Sequence, residues 1–123
     1  MNVGVLGLGS WGTALATLLA RNGHDVSGWT HDPAQRQLLR SDRENRKYLP
    51  GIPLPASLSI DDRISGVVAG AAVILFAVPS HAVREVAAAA ARDLPPKAPV
   101  VNVAKGLEEG TLFRMSEVLS QVL

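Results

Sequence analysis

The chain has 123 residues, a net charge of +1 and an apolar fraction of 47%, which suits one domain with a sizeable core. A balance so close to neutral excludes a broad electrostatic grip on nucleic acid or anionic lipid. There is no cysteine, so disulfides and thiolate metal sites are excluded as well.

No basic-then-apolar leader is visible, and the apolar runs are too short or too interrupted to cross a bilayer. The expectation is a soluble cytoplasmic protein with no metal, no nucleic-acid partner and no membrane insertion.

A short apolar run, Val3, Val5 and Leu6, leads into Gly7-Leu8-Gly9-Ser10-Trp11-Gly12, and helix-forming residues follow from Thr13 to Ala20. Strand, glycine turn and helix form the setting that a dinucleotide-binding fingerprint requires. Gly7 permits the tight turn, Gly9 lets a pyrophosphate approach the backbone, and Gly12 lets the helix pack against the strand. The helix start offers unpaired N–H groups and a partial positive charge to the phosphates. Ser10 can turn its hydroxyl or its N–H the same way. Trp11 has two readings, a wall beside the cofactor or a core residue at the helix start.

The first helix should stop near Arg21-Asn22-Gly23. Asp25 to Thr30 reads as a second strand, and the short helical link calls for a right-handed crossover and a parallel pair. Next comes His31-Asp32-Pro33, opening a helix to about Arg40. Asp32 lies about 20 residues past the last fingerprint glycine, where an acid would bind a ribose. An N-cap ahead of Pro33 is the favoured reading. The strand end itself, Thr30 and His31, carries no acid. His31 could donate to a 2′-phosphate and Arg36 could add charge, so the pattern tolerates NADP(H), with NAD(H) as the second candidate. A plain solvated loop histidine is the competing view of His31.

Ser41 to Ser57 is charged and then proline-rich. Three prolines exclude a regular helix or central strand, while Tyr48, Leu49, Ile52 and Leu54 give the segment something to bury. Leu58 to Ile60 is a third strand, and Asp61 caps a helix running to about Ala69. Ala71 to Val78 is a continuous apolar strand, typical of one covered on both faces. Pro79 ends it and Ser80 caps a helix from His81 to about Arg92. Val100 to Ala104 is a fifth strand, Lys105 to Gly110 a loop, and Thr111 the cap of a last helix carrying Leu112, Met115, Leu119 and Val122 on one face.

The alternation predicts one α/β domain over residues 1–123: a Rossmann-type, doubly wound parallel sheet of five strands in order 3-2-1-4-5, helices on both faces. Ligands bind such sheets at the order reversal. The glycine turn, Pro79-Ser80-His81 and Lys105 should meet there. Lys105, directly after a strand and beside Gly106, could bond a substrate oxygen or screen a phosphate; an exposed surface lysine is the plainer alternative. His81 could act as a general acid, though a surface histidine is the commoner case. No nucleophile triad or metal-ligand spacing is present.

Several segments together resemble the N-terminal domain of bacterial NAD(P)-dependent glycerol-3-phosphate dehydrogenase. They are Gly7 to Ala16, Arg21-Asn22-Gly23-His24, Trp29-Thr30-His31-Asp32-Pro33, Asn45 with Tyr48-Leu49-Pro50, Val78-Pro79-Ser80-His81 and Lys105-Gly106-Leu107-Glu108. The resemblance implies that Ser10, Trp11 and His31 contact NADPH, with Gly7, Gly9, Gly12, Tyr48 and Pro79 completing the cofactor site. It implies that Lys105 touches both cofactor and a phosphorylated three-carbon substrate, dihydroxyacetone phosphate or glycerol 3-phosphate. NADP(H) is favoured over NAD(H).

Members of that family carry a second, mostly helical domain that supplies the catalytic lysine, and they continue the sheet past strand five. This chain stops at Leu123, so the expectation is a piece of a longer protein. No residue matches that lysine and none is assigned as catalytic. Strand five as an edge suggests self-association, a homo-oligomer. The second reading is a nucleotide-binding or sensing module without catalysis, or the cofactor domain of another hydroxyacid or sugar-phosphate dehydrogenase.

Overall fold

The computed structural model describes residues 1–123. Its elements run β1 (Asn2–Leu6), α1 (Ser10–Arg21), β2 (Asp25–Trp29), α2 (Pro33–Asp42), β3 (Glu44–Asn45), β4 (Leu49–Pro53), β5 (Leu58–Ile60), α3 (Ile64–Val68), β6 (Val73–Phe76), α4 (Val83–Ala90), β7 (Val100–Asn102) and α5 (Met115–Val122). A 3-10 turn, Ser80–Ala82, precedes α4.

Five strands form one sheet in the order β5-β2-β1-β6-β7, all parallel. Renumbered within that sheet, this is the expected 3-2-1-4-5. β1 lies at the centre, with Val5 opposite Gly28 of β2 and Leu75 of β6. Successive side chains of a strand point to opposite faces, and β1 accordingly feeds two cores. Val3 and Val5 pack with Ala16, Ala20 and Leu39 of α1 and α2. Leu6 packs with Phe76 and with Val67, Val83, Val86, Val118 and Leu119 of α3, α4 and α5. Gly4 faces that second layer too, and α3 crosses so close that a Cβ there would lie 2.7 Å from the Val67 carbonyl oxygen.

Several elements differ from the sequence reading. The proline-rich segment contains a second, two-stranded antiparallel sheet, β3-β4. Its prolines are compatible because this is a peripheral ribbon rather than a central strand. Asp61 accepts the Arg63 N–H at 2.9 Å but is not the cap of the helix: Arg63 is the N-cap of α3, without a side-chain bond, and the helix starts only at Ile64. Ser80 makes no side-chain cap. The last helix begins at Met115, and Arg114 with Glu117 caps it rather than Thr111. Leu112 is 71% exposed with φ +59°, so it lies outside the helix and off its buried face. Thr111 instead bonds Glu108 and the Phe113 N–H.

Candidate functional site

The glycine turn is wedged between two strand ends. Gly7 donates its N–H to the Trp29 carbonyl at 2.8 Å, and Ala77 donates to the Leu6 carbonyl at 2.8 Å. Gly7 has φ +107°, and a Cβ on it would stand 2.6 Å from the Ala77 carbonyl carbon and the Val78 nitrogen. A side chain is barred twice, by the left-handed backbone and by space. Gly12 is equally confined, since a Cβ would run into the Gly7 carbonyl. Leu8 points away and lies over Gly28 of β2, where a Cβ would come within 2.8 Å of a Leu8 methyl.

Gly9 is the opposite case. A Cβ there would meet no protein atom within 4 Å. Gly9 is also the N-cap of α1, with no side-chain cap, and its carbonyl accepts the Thr13 N–H at 3.0 Å. The N–H groups of Ser10, Trp11 and Gly12 precede that first helical bond and have no partner within the helix. Open space, bare backbone and a helix start coincide. This is the cradle a diphosphate requires, so the residues present fit a dinucleotide.

The cradle opens into a cleft of about 670 Å³. Its walls are the turn from Gly7 to Gly12, Trp29 to His31 at the β2 end, Tyr48 of the β3-β4 ribbon, Ala77 to Pro79 at the β6 end, and His81, Glu85 and Ala89 along α4. Trp11 is 59% exposed and lines the cleft, so it lies outside the core. Every expected cofactor residue except Lys105 lines this space. Lys105 is exposed on the loop after β7. That loop packs near the turn between Pro79 and His81, since a Cβ on Gly106 would lie 3.7 Å from Ser80 Oγ, but Lys105 is not brought into the cleft.

The acid and the arginine after β2 serve the scaffold. Asp32 accepts the Ala34 N–H at 2.9 Å as the N-cap of α2. Arg36 is turned away from the cleft: Nη1 donates to the Thr30 carbonyl at 2.6 Å and Nε to Asp62 at 3.1 Å. Arg40 reaches the same Asp62 oxygen at 2.8 Å. The two guanidiniums hold the Asp62 carboxyl below its ordinary range, Arg40 most strongly.

Two positioning sets went unread in the sequence. Asn45 is 0% exposed. Its Nδ2 donates to the Leu8 carbonyl and to Thr13 Oγ1, each at 2.8 Å, and its Oδ1 accepts from Gln35 Nε2 at 2.9 Å and the Tyr48 N–H at 3.1 Å. Nothing in a charged stretch such as Arg43-Glu44-Asn45-Arg46-Lys47 marks one asparagine as buried. The second set holds the Lys105 loop. Asn102 brackets Ala104 by accepting its N–H at 3.0 Å and donating to its carbonyl at 3.1 Å. Further on, Arg84 of α4 clasps Glu108 with two bonds, at 2.7 and 2.9 Å. That guanidinium, helped by the Thr111 hydroxyl, draws the Glu108 carboxyl down to about 2.

Sheet order, glycine turn and cleft define a Rossmann-type, nucleotide-binding class of domain. Within that class, a family model described as NAD-dependent glycerol-3-phosphate dehydrogenase N-terminus matches residues 2–123, and the chain belongs to that family. It is 51% identical to the glycerol-3-phosphate dehydrogenase (NAD(P)+) of Pelodictyon phaeoclathratiforme over all of its own length and 37% of that protein's. The enzyme of the same name from Anaeromyxobacter sp. is 45% identical, again over 100% of this chain and 37% of its own. The crystal structure of glycerol-3-phosphate dehydrogenase from Coxiella burnetii superposes with a TM-score of 0.94 at 33% identity, covering 99% of this chain and 37% of that one. The chain thus spans little more than a third of the relatives it matches.

Proposed function

We propose that this chain is the coenzyme-holding part of an enzyme that reduces dihydroxyacetone phosphate to sn-glycerol 3-phosphate with NAD(P)H, a step toward phospholipid synthesis in the cytoplasm. The observation that carries this reading is the empty volume above Gly9, faced by the uncapped N–H groups of α1. Bare amides at a helix start hold an anion without a counter-charge. No helix of the chain is long and apolar enough to cross a membrane.

When bound, the reduced nicotinamide supplies the hydride. The residues of this chain supply placement. Ser10 and the amides beside it take the diphosphate. Trp11 and Tyr48 wall the cleft and shed water from its mouth. His31 donates to the 2′-phosphate of NADP(H), unopposed by any acid at the strand end. Lys105, carried on the loop that abuts Ser80, approaches the substrate phosphate or carbonyl oxygen as a cation. Family membership supports these roles, since the motif segments that carry the resemblance supply them. No residue here is given the proton-donating role.

Titrating the 123-residue chain with NADPH and NADH, followed by quenching of Trp11 and Trp29 fluorescence, tests the reading. NADPH should bind more tightly than NADH, and His31→Ala should erase that difference while sparing NADH. Equal affinity for both, unchanged in His31→Ala, would remove His31 from the site. Absence of binding by either would remove the cofactor reading itself.

A further inference from the structure

We propose that Asn45 is a positioning residue for the coenzyme: it locks the glycine turn to the β3-β4 ribbon, so that the diphosphate cradle and Tyr48 are held in one fixed relation before ligand arrives. This rests on reading the cleft as an NAD(P)H site. The bonding valence of the side chain carries the argument. An asparagine amide offers two donor protons and two acceptor lone pairs. Asn45 spends all of them on protein: the Leu8 carbonyl and Thr13 hydroxyl on one side, Gln35 and the Tyr48 N–H on the other. It has nothing left for a ligand and is 0% exposed, so any effect on binding passes through the groups it holds.

Those groups belong to two elements that line the cleft. Leu8 lies inside the glycine turn and Thr13 is the first residue of α1 whose N–H bonds back to Gly9. Tyr48, from the ribbon, lines the same cleft. The ribbon has only a two-residue strand, Glu44–Asn45, against β4, and a ladder so short gives little stiffness of its own. The buried amide supplies it. Fully satisfied buried networks specify one geometry, whereas half-satisfied ones are costly.

The test compares NADPH affinity in the parent chain, Asn45→Asp and Arg43→Met. Aspartate keeps acceptors for Gln35 and Tyr48 and lets the Thr13 hydroxyl turn to donate, but as a carboxylate it sets a buried charged acceptor against the Leu8 carbonyl, cutting the bond to the glycine turn. Arg43→Met removes bonds to the Pro55 and Leu58 carbonyls at the ribbon's base without touching that bond. Asn45→Asp should weaken NADPH about tenfold, the value of one ordinary buried hydrogen bond; Arg43→Met should lower the melting temperature and leave affinity unchanged. A second readout needs no variant to fold. Gln35 does not line the cleft, yet exchange of its side-chain amide protons should slow when NADPH saturates the parent chain, because Asn45 joins the two. Unchanged affinity in Asn45→Asp, an equal loss in both variants, or Gln35 exchange indifferent to NADPH would overturn the inference. If the parent chain fails to bind NADPH, the cofactor reading falls first; if it binds and only these effects are missing, that reading stands without Asn45.

Discussion

The glycine turn and the Lys105 loop are built on different physics. The glycine turn is held by close backbone packing and by a buried amide whose bonds carry no titrating charge. The Lys105 loop is held near the surface, by Asn102 bracketing Ala104 and by an Arg84–Glu108 pair in which the arginine side chain is 41% exposed. A grip on a diphosphate must be rigid before the ligand comes, since ordering it afterwards would cost affinity. A loop held at the surface has more freedom, and solvent and pH can act on it. The contrast teaches that backbone sites are fixed by what is absent, such as a Cβ, and side-chain sites by what is present and charged.

The largest expected effect separates two glycines of the same turn. Gly12→Ala drives a methyl into the Gly7 carbonyl and should cost about 3 kcal/mol or more in a denaturant melt. Gly9→Ala meets no protein atom, so its stability should stay within about 0.5 kcal/mol of the parent. On the proposed site its NADPH affinity should nevertheless collapse, because the methyl would fill the open space above the turn. Comparable melting of the two variants would break the distinction between a packing glycine and a binding glycine.

A smaller effect tests the Lys105 loop. The Glu108 carboxyl is drawn from its ordinary 4.5 to about 2 by Arg84, so the stability it adds is complete above about 4.5 and is lost as pH falls toward 2. Glu108→Gln should therefore lower the melting temperature most near neutrality, flatten its dependence on pH across that window and converge on the parent near pH 2. An acid limb as steep as the parent's would show that the pair does not hold the loop.

The smallest effect concerns the sheet's border. β7 pairs with β6 alone and leaves Val101 41% exposed, so its outer backbone is free to pair. Weak self-association should appear as a concentration-dependent sedimentation coefficient and vanish in Val101→Lys. A strictly monomeric parent would mean the edge is protected by other means.

Much of the frame was legible from residues. Gly7, Gly9 and Gly12 identify the turn because only glycine satisfies each of its three demands. Asp32 before Pro33 announces a helix cap, and the unbroken run from Ala71 to Val78 announces a strand covered on both faces. The ribbon of Glu44–Asn45 and Leu49–Pro53 was not legible, because its pairing is nonlocal and its composition reads as a charged loop. Leu112 failed for a related reason: helical spacing placed it on a buried face, but the chain turns there through a left-handed conformation first.

By itself the amino-acid order determined the sheet order, the glycine turn and the family, since these rest on local periodicity and on residue types with few conformational options. Tertiary structure alone decided that Trp11 faces the cleft, that Arg36 spends its charge on Thr30 and Asp62, and that Asn45 joins the glycine turn to the ribbon. Those facts depend on which distant groups stand within about 3 Å of a side chain, the reach of a hydrogen bond. Spacing along the chain does not encode that distance; it exists once the layers have packed.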